Sequence, residues 1–148
     1  MKPGTVFWWN NFPFPKFGDK IKPRWFICLG DTGLLSTPIF LHICTTTTST
    51  HDFTPGGKRE SHRFFSFEKK RFACFSEDCI LDFDEEPYFE QQGALESNKD
   101  IEIRGELDKQ TLKLIYEGIL RSQFYSPRIL LDIHTSLNRI GITGLRKP

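Results

Sequence analysis

The chain has 148 residues, 38% of them hydrophobic, with 15 Phe and a formal net charge of +1. This is a globular composition that suits one domain, and it excludes a disordered chain or a pair of large domains. The near-zero net charge hides segregation: Lys16–Arg24, Lys58–Arg63 and Lys69–Arg71 are basic, whereas Asp78–Glu90 is acidic, so a local field is expected in a nearly neutral molecule.

Thr5–Trp9 and Trp25–Leu29 are aromatic and β-branched runs, the signature of half-buried strands. The segment between them carries Pro13, Pro15 and Gly18, which break pairing, and then Lys16, Lys20, Lys22 and Arg24. A hairpin that presents cations is predicted. Val6–Trp9 is too short for the apolar stretch of a signal peptide, and no run is long enough to cross a bilayer. A cytoplasmic protein with no membrane partner is expected.

Ile39–Cys44 reads as a third strand and continues into Thr45–Thr46–Thr47–Thr48–Ser49–Thr50, either a solvated strand end or a polar loop. Pro55-Gly56-Gly57 marks a turn before Lys58 and Arg59. Phe64–Phe67 and Arg71–Phe75 are read as short strands, and Cys79–Phe83 as another that runs into Asp84–Glu86. Gln91–Asp100 reads as a surface loop, and Ile101–Gly105 as the last strand. Helices are predicted over 108–121, capped by Asp108 with Leu112, Ile115, Tyr116, Ile119 and Leu120 on its apolar stripe, and over 127–140. The second has Ser126 as N-cap, Pro127 at its first position, Leu130, Ile133, His134 and Leu137 on its apolar face, and Gly141 as its stop. His134 is expected to be a packed, hydrogen-bonded histidine.

Cys28, Cys44, Cys74 and Cys79 are expected to be reduced. Cys74 and Cys79 form the one close pair with metal-ligand character, and no second pair matches it, so no metal and no cofactor is predicted. No P-loop, Gly-x-Gly-x-x-Gly or Gly-x-Ser-x-Gly motif is present.

Residues 3–122 resemble the MazF/PemK-like toxins, small ribonucleases of toxin-antitoxin systems built on an SH3-like barrel. The likeness is carried by Gly4, Val6-Phe7-Trp8, Phe12-Pro13-Phe14, Gly18-Asp19-Lys20 and Arg24, and by the Gly105-x-Leu107 ending that leads into a helix. The order Pro23-Arg24-Trp25 departs from the family, where Pro commonly follows the Arg. The resemblance implies a mostly β fold, a small antiparallel SH3-like barrel with two C-terminal helices. Residues 1–148 then form one domain with a helical extension at 123–148.

It also implies a metal-independent endoribonuclease that cleaves single-stranded RNA by attack of the ribose 2′-OH, forms a homodimer and binds a cognate antitoxin. Arg24 would stabilise the transition state, because its planar fork can hold two phosphoryl oxygens. Thr46, with Thr45, Thr47 and Thr48 as register neighbours, would face the cleft. Asp82 or Asp84, or else His51 or His62, would act as base or acid. Lys16, Phe17, Lys20, Lys22, Lys58 and Arg59 would bind RNA, through phosphate contacts and, at Phe17, stacking. Two rival classes share the features: a non-catalytic interaction module on the same barrel, as in the CcdB-like gyrase poisons, and a nucleic-acid-binding domain without chemistry.

Overall fold

The computed structural model describes residues 1–14 and 21–148. Among the described residues seven antiparallel strands make one sheet: β1 (Thr5–Trp9), β2 (Arg24–Asp31), β3 (Phe40–Thr47), β4 (Phe64–Phe67), β5 (Cys79–Asp82), β6 (Tyr88–Gln91) and β7 (Ile101–Glu106). Three helices accompany them, α1 (Gln92–Ser97), α2 (Lys109–Ile119) and α3 (Pro127–Arg139), with a 3₁₀ turn at Thr50–Phe53. The strand order is β4-β5-β3-β2-β1-β7. β3 is shared along one edge, its first half pairing with β6 and its end with β5. β4 and β7 pair with no further strand among the described residues, so the sheet is open. The fold is mostly β with a pair of C-terminal helices.

Alternation along β1 and β2 explains why both faces of the central strands are buried. Val6, Trp25, Ile27 and Leu29 point to one core, shared with α2 and α3. Phe7, Trp9, Phe26 and Cys28 point to the other, closed by Phe12, Tyr88 and Leu95. Register shifts between Val6 and Phe7 and between Cys28 and Gly30 mark bulges, the irregularities that bend a sheet.

The helices form where local chemistry predicts them. Asp108 accepts the Thr111 amide at 2.8 Å and Ser126 accepts that of Ile129 at 3.3 Å. Gly141 ends α3 at φ 91°, a left-handed conformation that favours glycine. His134 is buried as expected, its Nε2 within 3.3 Å of the Leu145 carbonyl.

The 123–148 segment is not an appendage. α3 lies on β2 so closely that a Cβ at Gly30 would sit 3.0 Å from the Ile133 Cα. Arg139 grips Asp31 with two 2.9 Å hydrogen bonds, and Ser136 Oγ accepts the Asp31 amide at 2.9 Å. His42 on β3 meets Asp132 on α3 at 2.9 Å, both side chains buried.

Two segments differ from expectation. Residues 71–75 are turns, not a strand: Phe72 and Phe75 pack edge-on or tilted against Phe67, so their aromatic character serves packing from a turn. Gln91–Asp100 holds the end of β6 and the whole of α1, with Leu95 buried beneath it.

Candidate active site

β1, β2 and β3 run out at the same end of the sheet. With Trp8 opposite Trp25 and Phe26 opposite Thr45, Arg24 at the start of β2 and Thr47 at the end of β3 reach the same rim. There they line a cleft of about 790 Å³, together with Trp8, the Thr45–Ser49 segment, the cations Lys22, Lys58 and Arg59, His62, and the carboxylates Asp52, Glu77 and Glu85. Among the described residues, Lys22, Arg24 and Lys58 have no ion-pair partner. Trp8 is half-buried, its indole N–H donating to Asn10 Oδ1 at 2.9 Å and its ring packed edge-on against Trp25.

The far wall is built by the β4–β5 hairpin. Phe64 stands opposite Asp82, so the chain entering β4 passes the end of β5 and brings His62 to Asp82. Asp82 Oδ2 lies 2.8 Å from His62 Nδ1 and accepts from Arg59 at 3.2 Å, while its Oδ1 accepts the Asp84 amide at 2.8 Å. Its side chain is 2% exposed against 32% for His62. Arg59 also reaches Glu85 at 3.5 Å and lies 5.9 Å from the Phe53 ring centre. A buried carboxylate is tolerable only with such partners, and Asp82 has three.

Arg24, Lys22, Lys58 and Arg59 thus share one cleft, with Asp82 behind its wall; Thr46 borders it, but its hydroxyl is buried instead of facing the cleft as expected. Lys16, Phe17 and Lys20 lie outside the described residues. Asp84 is turned elsewhere: it accepts the Arg63 amide at 3.0 Å and the Arg63 guanidinium at 3.2 Å. Burial opposes its charge, and these Arg63 bonds outweigh that effect and hold its carboxyl below the usual carboxylate range. His51 is almost wholly exposed and pairs with Asp52.

The threonine row divides by strand alternation. Thr45 donates to the Trp25 carbonyl at 2.9 Å, and Thr47 Oγ1 accepts the Ser49 amide at 3.1 Å. Thr46 Oγ1 is buried with no partner in hydrogen-bond geometry. It is near enough to the Cys79 thiol to lower it slightly against the burial that pushes that thiol up to about 11. Thr48 is exposed on the cleft, with no hydrogen bond from its hydroxyl among the described residues.

Asp82 and His62, separate acid–base candidates in the sequence, meet in the fold. The signal lay in the hairpin register, since a β4–β5 pair aligned at Phe64 and Asp82 puts His62 beside the strand end. Among the described residues no group of three or more His, Cys, Asp or Glu side chains is arranged to hold a metal ion, and no helix is long and apolar enough to cross a membrane. No protein-family model, curated protein or solved structure matches the chain.

Proposed function

We propose that the chain is an endoribonuclease of the MazF/PemK-like kind, cleaving single-stranded RNA in this cleft by 2′-OH attack without a metal. The observation that carries this reading is the convergence of three cations without ion-pair partners among the described residues, Lys22, Arg24 and Lys58, on a cleft that also presents an indole and the exposed Thr48. Cations held without partners favour a polyanion, and an aromatic ring beside them suits unstacked bases.

Arg24 stands at the strand end, where its guanidinium can hold two phosphoryl oxygens as negative charge builds on them. The 2′-oxygen attacks phosphorus, the bond to the 5′-oxygen breaks, and the products are a 2′,3′-cyclic phosphate and a 5′-hydroxyl. Lys22 and Lys58 track the neighbouring phosphates, and Thr48 offers the hydroxyl that contacts them. Arg59, engaged by Asp82 and Glu85, supports the wall. In this reading the bent sheet is an open relative of the SH3-like barrel, and a homodimer in the cytoplasm bound by an antitoxin is the biological form.

Incubation of the purified protein with mixed-sequence RNA in EDTA, with the ends mapped chemically, tests the proposal. Cyclic phosphate and 5′-hydroxyl ends are expected, and DNA of the same sequence should stay whole. RNA that is bound and left uncut would replace the enzyme with the non-catalytic binding module, and 5′-phosphate ends would refute the 2′-OH mechanism.

A further inference from the structure

We propose that His62 is the general base of this site and Asp82 the residue that positions it, an inference that rests on the RNA-cleavage reading above. Geometry disqualifies the carboxylates first. Asp82 is 2% exposed and its oxygens are taken up by His62, Arg59 and the Asp84 amide. Asp84 is bound by Arg63 away from the cleft. Neither can reach a ribose hydroxyl, and reach comes before acidity in choosing a base.

His62 meets both requirements. The Asp82 carboxylate can only accept, so the proton of a neutral ring sits on Nδ1, 2.8 Å away, and the lone pair is left on Nε2. The two imidazole nitrogens point to opposite sides of the ring. With Nδ1 on the buried aspartate, Nε2 points away from it, on a ring that is 32% exposed and lines the cleft with Arg24.

The chain supplies its own comparison. His42 and Asp132 form a second His–Asp pair at 2.9 Å, but there the histidine is 4% exposed and sealed beneath α3. Pairing alone therefore marks a structural contact. What distinguishes His62 is that its pair opens onto the cleft with the unpaired cations.

In the step proposed, Nε2 takes the proton of the 2′-hydroxyl as the 2′-oxygen bonds to phosphorus. The bond from phosphorus to the 5′-oxygen breaks with its electron pair on that oxygen, which takes a proton from water. His62 then returns its proton to solvent. Asp82 keeps the ring in the tautomer that makes Nε2 an acceptor.

The test compares the parent with His62→Asn, whose amide can still donate to Asp82 but offers no base. Both are assayed on an RNA with one scissile step and on the same RNA with sulfur in place of the bridging 5′-oxygen, a leaving group that needs no proton. His62→Asn is expected to lose about 10²- to 10⁴-fold in kcat/KM on both substrates, to bind RNA as before and to lose the acidic limb of the parent's pH–rate profile. His62→Gln serves the same comparison should the Asn variant unfold. Asp82→Asn, which donates to Nδ1 and so moves the ring proton to Nε2, should lose that limb as well.

Rescue of His62→Asn by sulfur would make His62 the acid and overturn the assignment. Parent-like cleavage by His62→Asn would overturn it while leaving the RNA-cleavage reading standing. A parent that cleaves no RNA would remove that reading and this inference with it.

Discussion

Two arginines on one cleft should behave in opposite ways when removed. Arg24 has no ion-pair partner among the described residues, so Arg24→Ala strands no carboxylate and should move stability by less than about 0.5 kcal/mol, the range of substitutions away from packed or paired groups. If the proposed reaction holds, with Arg24 as the cation on the developing charge, its loss should nevertheless cost about 10²- to 10³-fold in the rate of RNA cleavage, the loss seen when one such donor is deleted. Arg59 is the reverse case. It donates to Asp82 at 3.2 Å and reaches Glu85 at 3.5 Å, and Asp82 is 2% exposed. Arg59→Ala leaves that carboxylate with one fewer partner in a buried position, a loss of about 1–3 kcal/mol. For a chain of 148 residues this lowers Tm by roughly 3–10 °C. The assay is a thermal melt and a cleavage time course on the same preparations of parent and both variants. If Arg24→Ala melts as low as Arg59→Ala, or cleaves as fast as the parent, the division between a charge stabiliser and a wall support is wrong.

A Cβ at Gly118 in α2 would lie 2.2 Å from the Phe83 ring, whereas one at Gly93 in α1 would meet nothing within 4 Å. Gly118→Ala should therefore lose about 1–3 kcal/mol by overpacking despite its better helix propensity, while Gly93→Ala gains about 0.5–1 kcal/mol. Urea midpoints in the same order for both variants would contradict this. The Arg139 hydrogen bonds hold the Asp31 carboxyl below its ordinary value against the opposing effect of burial, and the Gly33 amide assists. The folded-state pKa is thus lower than the unfolded one, so the stability it supplies is complete above about pH 4 and is lost as pH falls through the folded-state value. Arg139→Met should lower the urea midpoint at neutral pH and flatten its fall below pH 4, and an unchanged acid limb would show that the pair contributes nothing.

The helices were legible because their determinants are local. Asp108 and Ser126 cap within three residues, and the stripes at Leu112–Ile119 and Leu130–Leu137 repeat at helical spacing. The cores of β2 and β3 were legible too, but Arg24 and the threonines were assigned to one cleft through the family resemblance, and it is the register of Phe26 opposite Thr45 that puts Arg24 and Thr47 at one rim. Pairing across long separations was not. That β3 divides its edge between β5 and β6 depends on where the later β4–β5 hairpin and the single strand β6 dock. The four-residue β6, at the end of an acidic run, leaves Phe89 half out of the fold, stacked on Phe40, and so lacks the buried alternation that marks a strand. Phe72 and Phe75 misled in the other direction, being as apolar as strand residues while packing from a turn.

The acidic run after Cys79 shows how a chain with net charge of +1 can leave cations available at a cleft. Its first members look like a solvated face in sequence. In the fold Asp82 is enclosed by His62 and Arg59, Asp84 is bound to Arg63, and Glu85 is held by Arg59. Elsewhere Asp31 is paired with Arg139 and Asp132 with Arg128. Carboxylates held against an arginine contribute less to the field a ligand meets, because a pair's potential falls off faster than that of an isolated charge. Lys22, Arg24 and Lys58, without ion-pair partners among the described residues, are then cations that an approaching anion can meet at the rim, with Glu77 as the exposed carboxylate opposing them there. Net charge therefore says less about this protein's ligand than the distribution of its ion pairs. Weakening one of those pairs, as Arg59→Ala does, should release negative charge into the cleft and weaken RNA binding even though Arg59 itself need not touch a phosphate.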